Sequence, residues 1–394
     1  MADYKKDDQL IATHLGDEYE KYLGSIIPPI FMNSLHVFDN IEEYNDKTKR
    51  KPDSYFYGRV SNPTTHIVER KVAAMEHAEY GLAFASGMAA ATTALMSVCK
   101  AGSHIICVKN AYGVLTGYID NYCVPELGMS VTYVNGENLE EFEKAIQPNT
   151  DLIILESPVS LVFTVQDIRG VTALAKKHNI KTYIDNSYCT PIFQKPLDMG
   201  VDIVMHTASK YLGGHSDIIG GMLATSDEAI FKKASMLREM LGGIIGPMEA
   251  WLVMRGIRTL DVRVRRHAKI ALEVATWLEQ NEKVGKVYYP GLASHPQHEL
   301  IASQQSGSTG LMSFEFKDAS REQVCKFVNE LKIFKIGVSW GGFESLVCTP
   351  MYPSTPEHAA EAGCGWGIVR IHCGLEGAAN LIADLKQAME AAGI

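Results

Sequence analysis

Residues 185–214 have the sequence DNSYCTPIFQKPLDMGVDIVMHTASKYLGG, and the interpretation of the whole chain starts from this stretch. Asp185 ends an apolar strand pattern that begins at Lys181, and Lys210 follows a second strand pattern at residues 201–206. An acid and a lysine that leave strand ends on the same side of a parallel sheet point into one crevice. We therefore expect a site that holds a carboxylate and an amine together.

This pair of groups suits the cofactor pyridoxal 5'-phosphate (PLP). PLP needs a lysine that binds its aldehyde covalently and a carboxylate that keeps its pyridine nitrogen protonated, so that the ring withdraws electrons. The alternative is that Lys210 is a solvated surface lysine and Asp185 a polar residue at a strand end, where loops begin. The two residues alone leave both interpretations open.

The composition is that of an ordinary soluble globular protein. The 394 residues predict about two or three domains, and 46% hydrophobic residues with 21% charged residues allow a large core. A net charge of −9 argues against nucleic acid or an anionic membrane surface as the main partner. The sequence has no apolar run of about 18 residues, so we expect no membrane span.

The cysteines and histidines predict neither a disulfide framework nor a metal site. Eight cysteines are scattered without a CxxC pair, which indicates reduced thiols. His295 and His298 have metal-like spacing, but a proline lies between them and no third ligand is near. The polar first residues lack the apolar core of a signal peptide. We expect a cytoplasmic protein without a bound metal.

The order of strand and helix patterns predicts an α/β protein. Strand patterns alternate with helix patterns, and the strand patterns lie at 104–108, 130–133, 152–155 and 181–185. This alternation predicts a mostly parallel sheet with helices on both faces. We expect three parts, namely an N-terminal arm (1–60), a large domain (61–246) and a C-terminal α+β domain (247–394).

A long helical pattern at 247–280 begins the C-terminal part. It carries five arginines, which we assign mainly to a solvated or intersubunit face: Arg255, Arg258, Arg263, Arg265 and Arg266. The irregular arm before residue 60 is of the kind that packs on another surface, often on a second subunit.

Two weaker signals suit a phosphate group. Tyr57 and Arg59 alternate at a spacing of two and would face the same way in an extended segment. A short strand pattern breaks at Ser86 and turns into a helix, where the free amides of Gly87 and Met88 would point at an anion. The alternatives are a surface arginine over an aromatic ring and a tightly packed helix start.

Tyr112 lies just after a strand end, where an aromatic ring could stack on a planar cofactor or could simply pack against its neighbours.

The combined motifs resemble one enzyme family. The strings YFYGRVSNPT, ASGMAA, NAYG, ESP, YIDNSYCTP and HTASKYLGGHSD occur in the order and at the spacings of the Cys/Met-metabolism PLP-dependent enzymes, the trans-sulfuration enzymes. The resemblance runs from about Asp17 to the end of the chain. It implies the aspartate-aminotransferase-like fold (fold type I) with PLP as cofactor.

The resemblance also implies roles for single residues. Lys210 would bind PLP and move protons, Asp185 would pair with the pyridine nitrogen, and Tyr112 would stack on the ring and assist the leaving group. Arg370 would bind the α-carboxylate of an amino-acid substrate through a bidentate contact, with two parallel hydrogen bonds. The expected phosphate ligands are the amides of Gly87 and Met88, the hydroxyls of Thr207 and Ser209, and, from a neighbouring subunit, Tyr57 and Arg59. The last pair implies a homodimer, and we expect a dimer of dimers.

Within the family, the chain resembles the cystathionine β-lyases most. Ser339 and Trp340 lie in SWGGFES, similar to the SWGGYES of those enzymes, and we expect both to contact substrate. Ser160 also follows the β-lyase form. Val338 stands where cystathionine γ-lyases carry glutamate, and Val114 where methionine γ-lyases carry cysteine.

These features predict a carbon–sulfur lyase of methionine and cysteine metabolism. We expect α,β-elimination on cystathionine or a related sulfur amino acid, which gives pyruvate, ammonia and a thiol. The family's usual HPAxxTH segment is replaced by TPMYP at 349–353, which leaves the far end of the substrate open. The alternative is γ-elimination or γ-replacement; a non-catalytic PLP-binding protein and an aminotransferase are further possibilities.

Overall fold

A computed structural model describes residues 7–50 and 54–394. In these residues a seven-stranded sheet has the order β1-β7-β6-β5-β4-β2-β3. Its strands are β1 (Tyr80–Phe84), β2 (His104–Val108), β3 (Ser130–Val134), β4 (Thr150–Glu156), β5 (Lys181–Asp185), β6 (Ile203–Thr207) and β7 (Gly221–Thr225). Of these seven strands, β7 runs in the direction opposite to the other six. The predicted mostly parallel sheet is therefore confirmed.

A second sheet belongs to the C-terminal part. It has the order β10-β11-β12-β9-β8, and its strands are β8 (Val284–Tyr288), β9 (Leu311–Phe316), β10 (Lys335–Ile336), β11 (Leu346–Cys348) and β12 (Val369–His372). Two apolar cores follow the two sheets, and the second begins part-way along a long helix, at Ile270. The division at residues 60 and 246 stays a prediction.

Helices surround both sheets. They are α1 (Asp8–His14), α2 (Ile41–Asn45), α3 (Pro63–Met75), α4 (Gly87–Val98), α5 (Gly113–Tyr118), α6 (Val124–Leu127), α7 (Leu139–Ala145), α8 (Ile168–Lys177), α9 (Thr190–Phe193), α10 (Glu228–Leu241), α11 (Pro247–Ile257), α12 (Leu260–Gln280), α13 (His298–Gln304), α14 (Arg321–Glu330), α15 (Pro356–Glu361) and α16 (Ala378–Ala392). None of these helices combines the length and the apolar character that a bilayer crossing requires.

The start of α3 illustrates how the sequence fixes a helix end. The Asn62 side chain accepts a hydrogen bond from the Thr64 amide, and Pro63 takes the first helical position, where its missing N–H costs nothing. These two residues set the start of α3 at Pro63.

One arginine contradicts the predicted solvated or intersubunit face of residues 247–280. Arg263 is only 7% exposed, and its guanidinium donates to the Gly256 carbonyl (2.7 Å) and the Thr259 hydroxyl (3.1 Å). Gly214 makes room for it, because a Cβ there would lie 1.9 Å from Nη1 of Arg263. The prediction failed because the glycine that accommodates the side chain lies about fifty residues away in the sequence.

The N-terminal arm packs partly on its own chain. Ile11 and Ala12 of α1 are buried, and their carbonyl oxygens accept from Nζ of Lys71 in α3. Further along, large apolar side chains stay exposed: Leu23, Ile26, Met32, Leu35, Val37 and Ile41. Residues 1–6 and 51–53 of the predicted arm lie outside the described residues.

Candidate active site

Three neighbouring parallel strands end at the predicted site. β4 ends with Glu156, β5 with Asp185, and β6 with Thr207, three residues before Lys210. Glu156 and Asp185 are direct partners in the register of β4 and β5. Because the carboxyl ends of parallel strands meet at one edge of a sheet, these groups face one crevice. The structure thus brings Asp185 and Lys210 together, as the sequence predicted.

The amine of Lys210 lies under a loop from the C-terminal part of the chain. Its Nζ donates to the Ser339 hydroxyl and lies 5.4 Å from the centroid of the Trp340 ring. Burial and the positive charge of Arg370, opposed by the negative charge of Asp185, lower the pKa of Lys210 to about 8. An amine with such a pKa is partly neutral near neutral pH and can take a proton.

Asp185 and Glu156 form a pair of carboxyl groups. Burial raises the pKa of Asp185, while hydrogen bonding from Ser187 and the charges of His206 and Lys210 oppose this rise. The pKa of Glu156 is raised by burial and then by the negative charge of Asp185. In the described part of the chain, neither carboxylate forms an ion pair with a lysine or an arginine. The positive charge of Lys210 thus acts on the pair without a direct ion pair.

Glu156 was missed by the sequence analysis, although ESP was noted as a motif. One carboxylate oxygen accepts from the amide of Tyr112 (2.7 Å), and the other accepts from the amide (3.0 Å) and hydroxyl (2.8 Å) of Ser160. It thus ties the loop of Tyr112 to the loop after β4. The logic that selected Asp185, an acid at the end of a buried strand, would have found Glu156.

The start of α4 offers a place for an anion. The Ser86 hydroxyl accepts from the Ala89 amide, so the cap leaves the first amides of the helix, those of Gly87 and Met88, unused. A Cβ on Gly87 would lie 2.8 Å from Cβ of Thr207, so the absence of a side chain lets this helix end approach the turn that carries Lys210.

These residues fit PLP. The carboxyl pair at Asp185 lacks the positive charge that a protonated pyridine nitrogen would supply. The start of α4 and the hydroxyls of Thr207 and Ser209 suit a phosphate, and Lys210 offers an amine. The Ser209 hydroxyl also contacts Gly220, because it accepts from the Gly220 amide at 3.1 Å and donates to the Gly220 carbonyl at 3.4 Å.

The other predicted residues are placed as follows. Tyr112 precedes α5 and is 47% exposed, and Arg370 lies on β12 close enough for its charge to act on Lys210. Arg59 and Tyr57 lie apart from this cluster. The Arg59 guanidinium carbon lies 5.5 Å from the Tyr57 ring centroid, and its Nη1 donates to the Glu239 carbonyl at 3.0 Å.

The pairing of Tyr57 with Arg59 has a different cause from the one predicted. The segment is a turn, closed by the Val60 amide donating to the Tyr57 carbonyl (2.8 Å), and it is not an extended strand. The guanidinium reaches the ring by folding back over it, so the spacing of two is not what brings them together.

Comparison with known proteins decides the family. The model of the family described as "Cys/Met metabolism PLP-dependent enzyme" matches residues 9–390. The chain belongs to this family. Its cofactor is therefore PLP, it is an enzyme, and its substrate is an amino acid.

Curated relatives of the Cys/Met metabolism family carry several activity names. The chain is 37% identical to an L-methionine gamma-lyase of Fusobacterium nucleatum over 96% of this chain and 97% of the relative. It is 36% identical to a cystathionine gamma-lyase of Bacillus subtilis and to a cystathionine beta-lyase of Lactococcus lactis, each over 96% of this chain and 97% of the relative. The overall sequence identity therefore does not show whether this chain catalyses β- or γ-elimination.

A solved structure supports the same fold. The crystal structure of metB from Corynebacterium glutamicum matches with a TM-score of 0.90 and 34% identity, covering 98% of each chain. The predicted aspartate-aminotransferase-like fold type I is confirmed. In the described residues, no group of three or more histidine, cysteine, aspartate or glutamate side chains could hold a metal ion.

Proposed function

We propose that this member of the Cys/Met metabolism family is a carbon–sulfur lyase that catalyses α,β-elimination. Its substrate is cystathionine or a related sulfur amino acid, and its products are pyruvate, ammonia and a thiol. The observation that carries the proposal is the loop over Lys210, in which Ser339 holds the amine and Trp340 covers it. We infer that the bulky indole beside the amine restricts the space for the second proton transfer that γ-elimination requires.

The cofactor site is assigned to the groups that fit it. Asp185 would hold the protonated pyridine nitrogen, and Tyr112 would cover the ring. The phosphate would be held by the amides of Gly87 and Met88 and the hydroxyls of Thr207 and Ser209. When bound, PLP withdraws electrons from the substrate's Cα, which makes the α-proton acidic.

The chain's own residues then perform the proton transfer. Arg370 binds the substrate's α-carboxylate through a two-pronged contact and so fixes the Cα–H bond toward Lys210. The neutral Lys210 amine takes the α-proton, while the Ser339 hydroxyl holds that amine in place. The Cβ–S bond breaks with its electron pair on sulfur, and water completes the conversion of the remaining carbon skeleton to pyruvate and ammonia.

A γ-lyase or γ-replacement enzyme is the second candidate. Relatives named for γ-elimination are as similar to this chain as those named for β-elimination. Val338 beside the loop is 84% exposed, so the rim of the site at this point is apolar and open.

We also infer an obligate homodimer, and a dimer of dimers built from it. The exposed apolar side chains of the arm need a partner surface, and Tyr57 with Arg59 would reach the phosphate of the neighbouring subunit. We keep the division at residues 60 and 246 as a proposal. The eight cysteines are all free, which supports our inference of a cytoplasmic location.

A product assay tests the proposed reaction. The PLP-loaded protein is incubated with L-cystathionine, and the keto acid and thiol are identified together. We expect pyruvate with homocysteine. The appearance of 2-oxobutyrate with cysteine would replace β-elimination by γ-elimination. Activity only with an O-acylhomoserine and a thiol would indicate γ-replacement.

A further inference from the structure

The loop that carries Ser339 and Trp340 crosses the backbone of Lys210 at close range. A Cβ on Gly341 would lie 2.9 Å from the Lys210 carbonyl carbon and 2.8 Å from the Tyr211 amide nitrogen, so only glycine fits. Gly341 has φ +90 and Ser339 has φ +94. This conformation is unfavourable for a residue with a Cβ, so Ser339 keeps it only if the surroundings hold the loop.

His372 contacts this loop at two points. Its Nε2 accepts from the Gly341 amide at 3.1 Å, and its Nδ1 donates to the Glu344 carbonyl at 3.1 Å. These partners fix the tautomer, because an amide can only donate and a carbonyl can only accept. The ring is 1% exposed, so water does not compete for either contact.

The surroundings keep His372 neutral, as this double contact requires. Burial lowers the pKa of His372 well below its usual value, and the charges of His267, Lys210 and Arg370 lower it further. Hydrogen bonding to the Glu344 carbonyl opposes this only in part. A neutral imidazole has one donor and one acceptor, and the loop uses both.

The far end of the loop has separate supports. The Glu376 carboxylate accepts from the Ser345 amide (2.7 Å) and hydroxyl (2.8 Å), and the Leu375 amide donates to the Phe343 carbonyl (2.8 Å). The bond to Gly341 is therefore the contact of His372 nearest to Ser339 and Trp340.

We propose that His372 is a positioning residue that holds the loop of Ser339 and Trp340 against Lys210 through Gly341. Arg370 and His372 lie two residues apart on β12 and so share a face of the strand. Strand β12 thus supplies both Arg370, which is assigned to the substrate carboxylate, and His372, which holds the loop over the Lys210 amine. This inference rests on the proposed roles of Ser339, Trp340 and Arg370.

Packing is the competing explanation. The His372 ring lies 5.2 Å from the His267 ring and 5.9 Å from the Tyr211 ring, measured between centroids. If the imidazole only fills space in this cluster, its two hydrogen bonds do not position the loop. A replacement of similar size would then lower kcat only as far as it lowers the stability of the fold.

Three variants of the PLP-loaded protein separate these explanations. His372→Gln places an amide oxygen near the position of Nε2 and can keep the bond to Gly341. His372→Asn places its amide near Nδ1 and can keep only the bond to Glu344. His267→Asn is the control, because His267 is equally buried and donates from Nδ1 to the Cys373 carbonyl without touching the loop.

Hydrogen exchange at the Gly341 amide is measured without substrate, together with the absorbance of bound PLP, the melting temperature, kcat and KM. In His372→Asn we expect protection of the Gly341 amide to fall about tenfold. We expect kcat in this variant to fall about ten- to a hundredfold. His372→Gln and His267→Asn should stay within about threefold of the unchanged protein in both quantities.

Unchanged protection of Gly341 in His372→Asn would overturn the proposal. The proposal would also be overturned if the loss of kcat in each of the three variants simply followed its loss of melting temperature. Because hydrogen exchange needs no turnover, it decides the role of His372 even if the unchanged protein yields no keto acid from cystathionine, which would count against the proposed function instead.

Discussion

Lys210 and Lys71 show why a shifted pKa does not identify a catalytic lysine. Burial lowers the pKa of both ammonium groups to about 8. Nζ of Lys71 donates to the carbonyls of Ile11 and Ala12, both at 3.1 Å, and so ties α1 to α3. Lys210 follows a strand end beside Asp185. Its position, more than its pKa, is why we propose it as the catalytic group.

Replacing each of these two lysines should show that one acts in turnover and the other in the stability of the fold. Lys210→Ala should lower kcat for keto acid formation by about a thousandfold or more, because the group that takes the α-proton is lost. Lys71→Met should keep kcat but lower the free energy of unfolding by about 1–3 kcal/mol, because two buried carbonyls lose a donor. Steady-state kinetics and urea unfolding measure the two effects. Near-unchanged turnover in Lys210→Ala would refute the assignment.

The lowered pKa of Lys210 should appear in the pH dependence of stability of the cofactor-free protein. The folded pKa is about 8 and the reference value 10.5, so between these pH values the unfolded chain binds more protons. Stability of the unchanged protein should therefore rise, relative to Lys210→Met, as the pH increases from 8 to 10.5. Urea unfolding of both proteins at several pH values measures this difference. A constant difference across the window would show that the amine is not desolvated.

At the element scale, the carboxyl ends of β4, β5 and β6 build the site. The sequence predicted β2 and β5 with their observed ends, because each is an apolar run with clear limits on both sides. It also predicted Asp185, Lys210 and their common edge. These features follow from local pattern and from the geometry of parallel strands.

Features that depend on distant contacts were not predictable in this way. The pattern at 247–280 predicts one helical region, but α11 ends at Ile257 and α12 begins at Leu260, and the residues between them, Arg258 and Thr259, are not helix breakers. Only the tertiary position of Gly214 explains why Arg263 is buried. Likewise, the contact of His372 with Gly341 joins residues 31 positions apart.

Glu156 at the end of β4 accepts a hydrogen bond from the Tyr112 amide, so we expect it to position the loop of Tyr112. In Glu156→Gln, the amide nitrogen would face the N–H of either Tyr112 or Ser160, so one loop loses its acceptor. We expect kcat/KM to fall about tenfold through a displaced Tyr112. Ser160→Ala removes only one of the hydrogen bonds to Glu156 and should cost less than about threefold. Kinetics of both variants test this, and a larger loss in Ser160→Ala would contradict it.

At the scale of the whole molecule, the proposed dimer predicts that two defective variants restore activity when they form mixed dimers, which two monomers could not do. If Arg59 reaches the phosphate of the neighbouring subunit, each site combines Lys210 of one chain with Arg59 of the other. Inactive Lys210→Ala and weakened Arg59→Ala proteins are mixed in equal amounts, unfolded and refolded. About half of the dimers are then mixed, and each mixed dimer has one intact site, so the sample should regain about a quarter of the unchanged activity. Each variant refolded alone is the control. An absence of recovery in proven mixed dimers would place Arg59 in the site of its own chain.

PLP is expected to bind covalently to Lys210, three residues after the end of β6. The most direct test is to reduce the bond between PLP and its lysine with borohydride, digest the protein and locate the added mass. We expect the modification on Lys210 alone, and none in Lys210→Ala. A modification on Lys71, the other lysine whose pKa is lowered to about 8, or on any further lysine would contradict this account of the site.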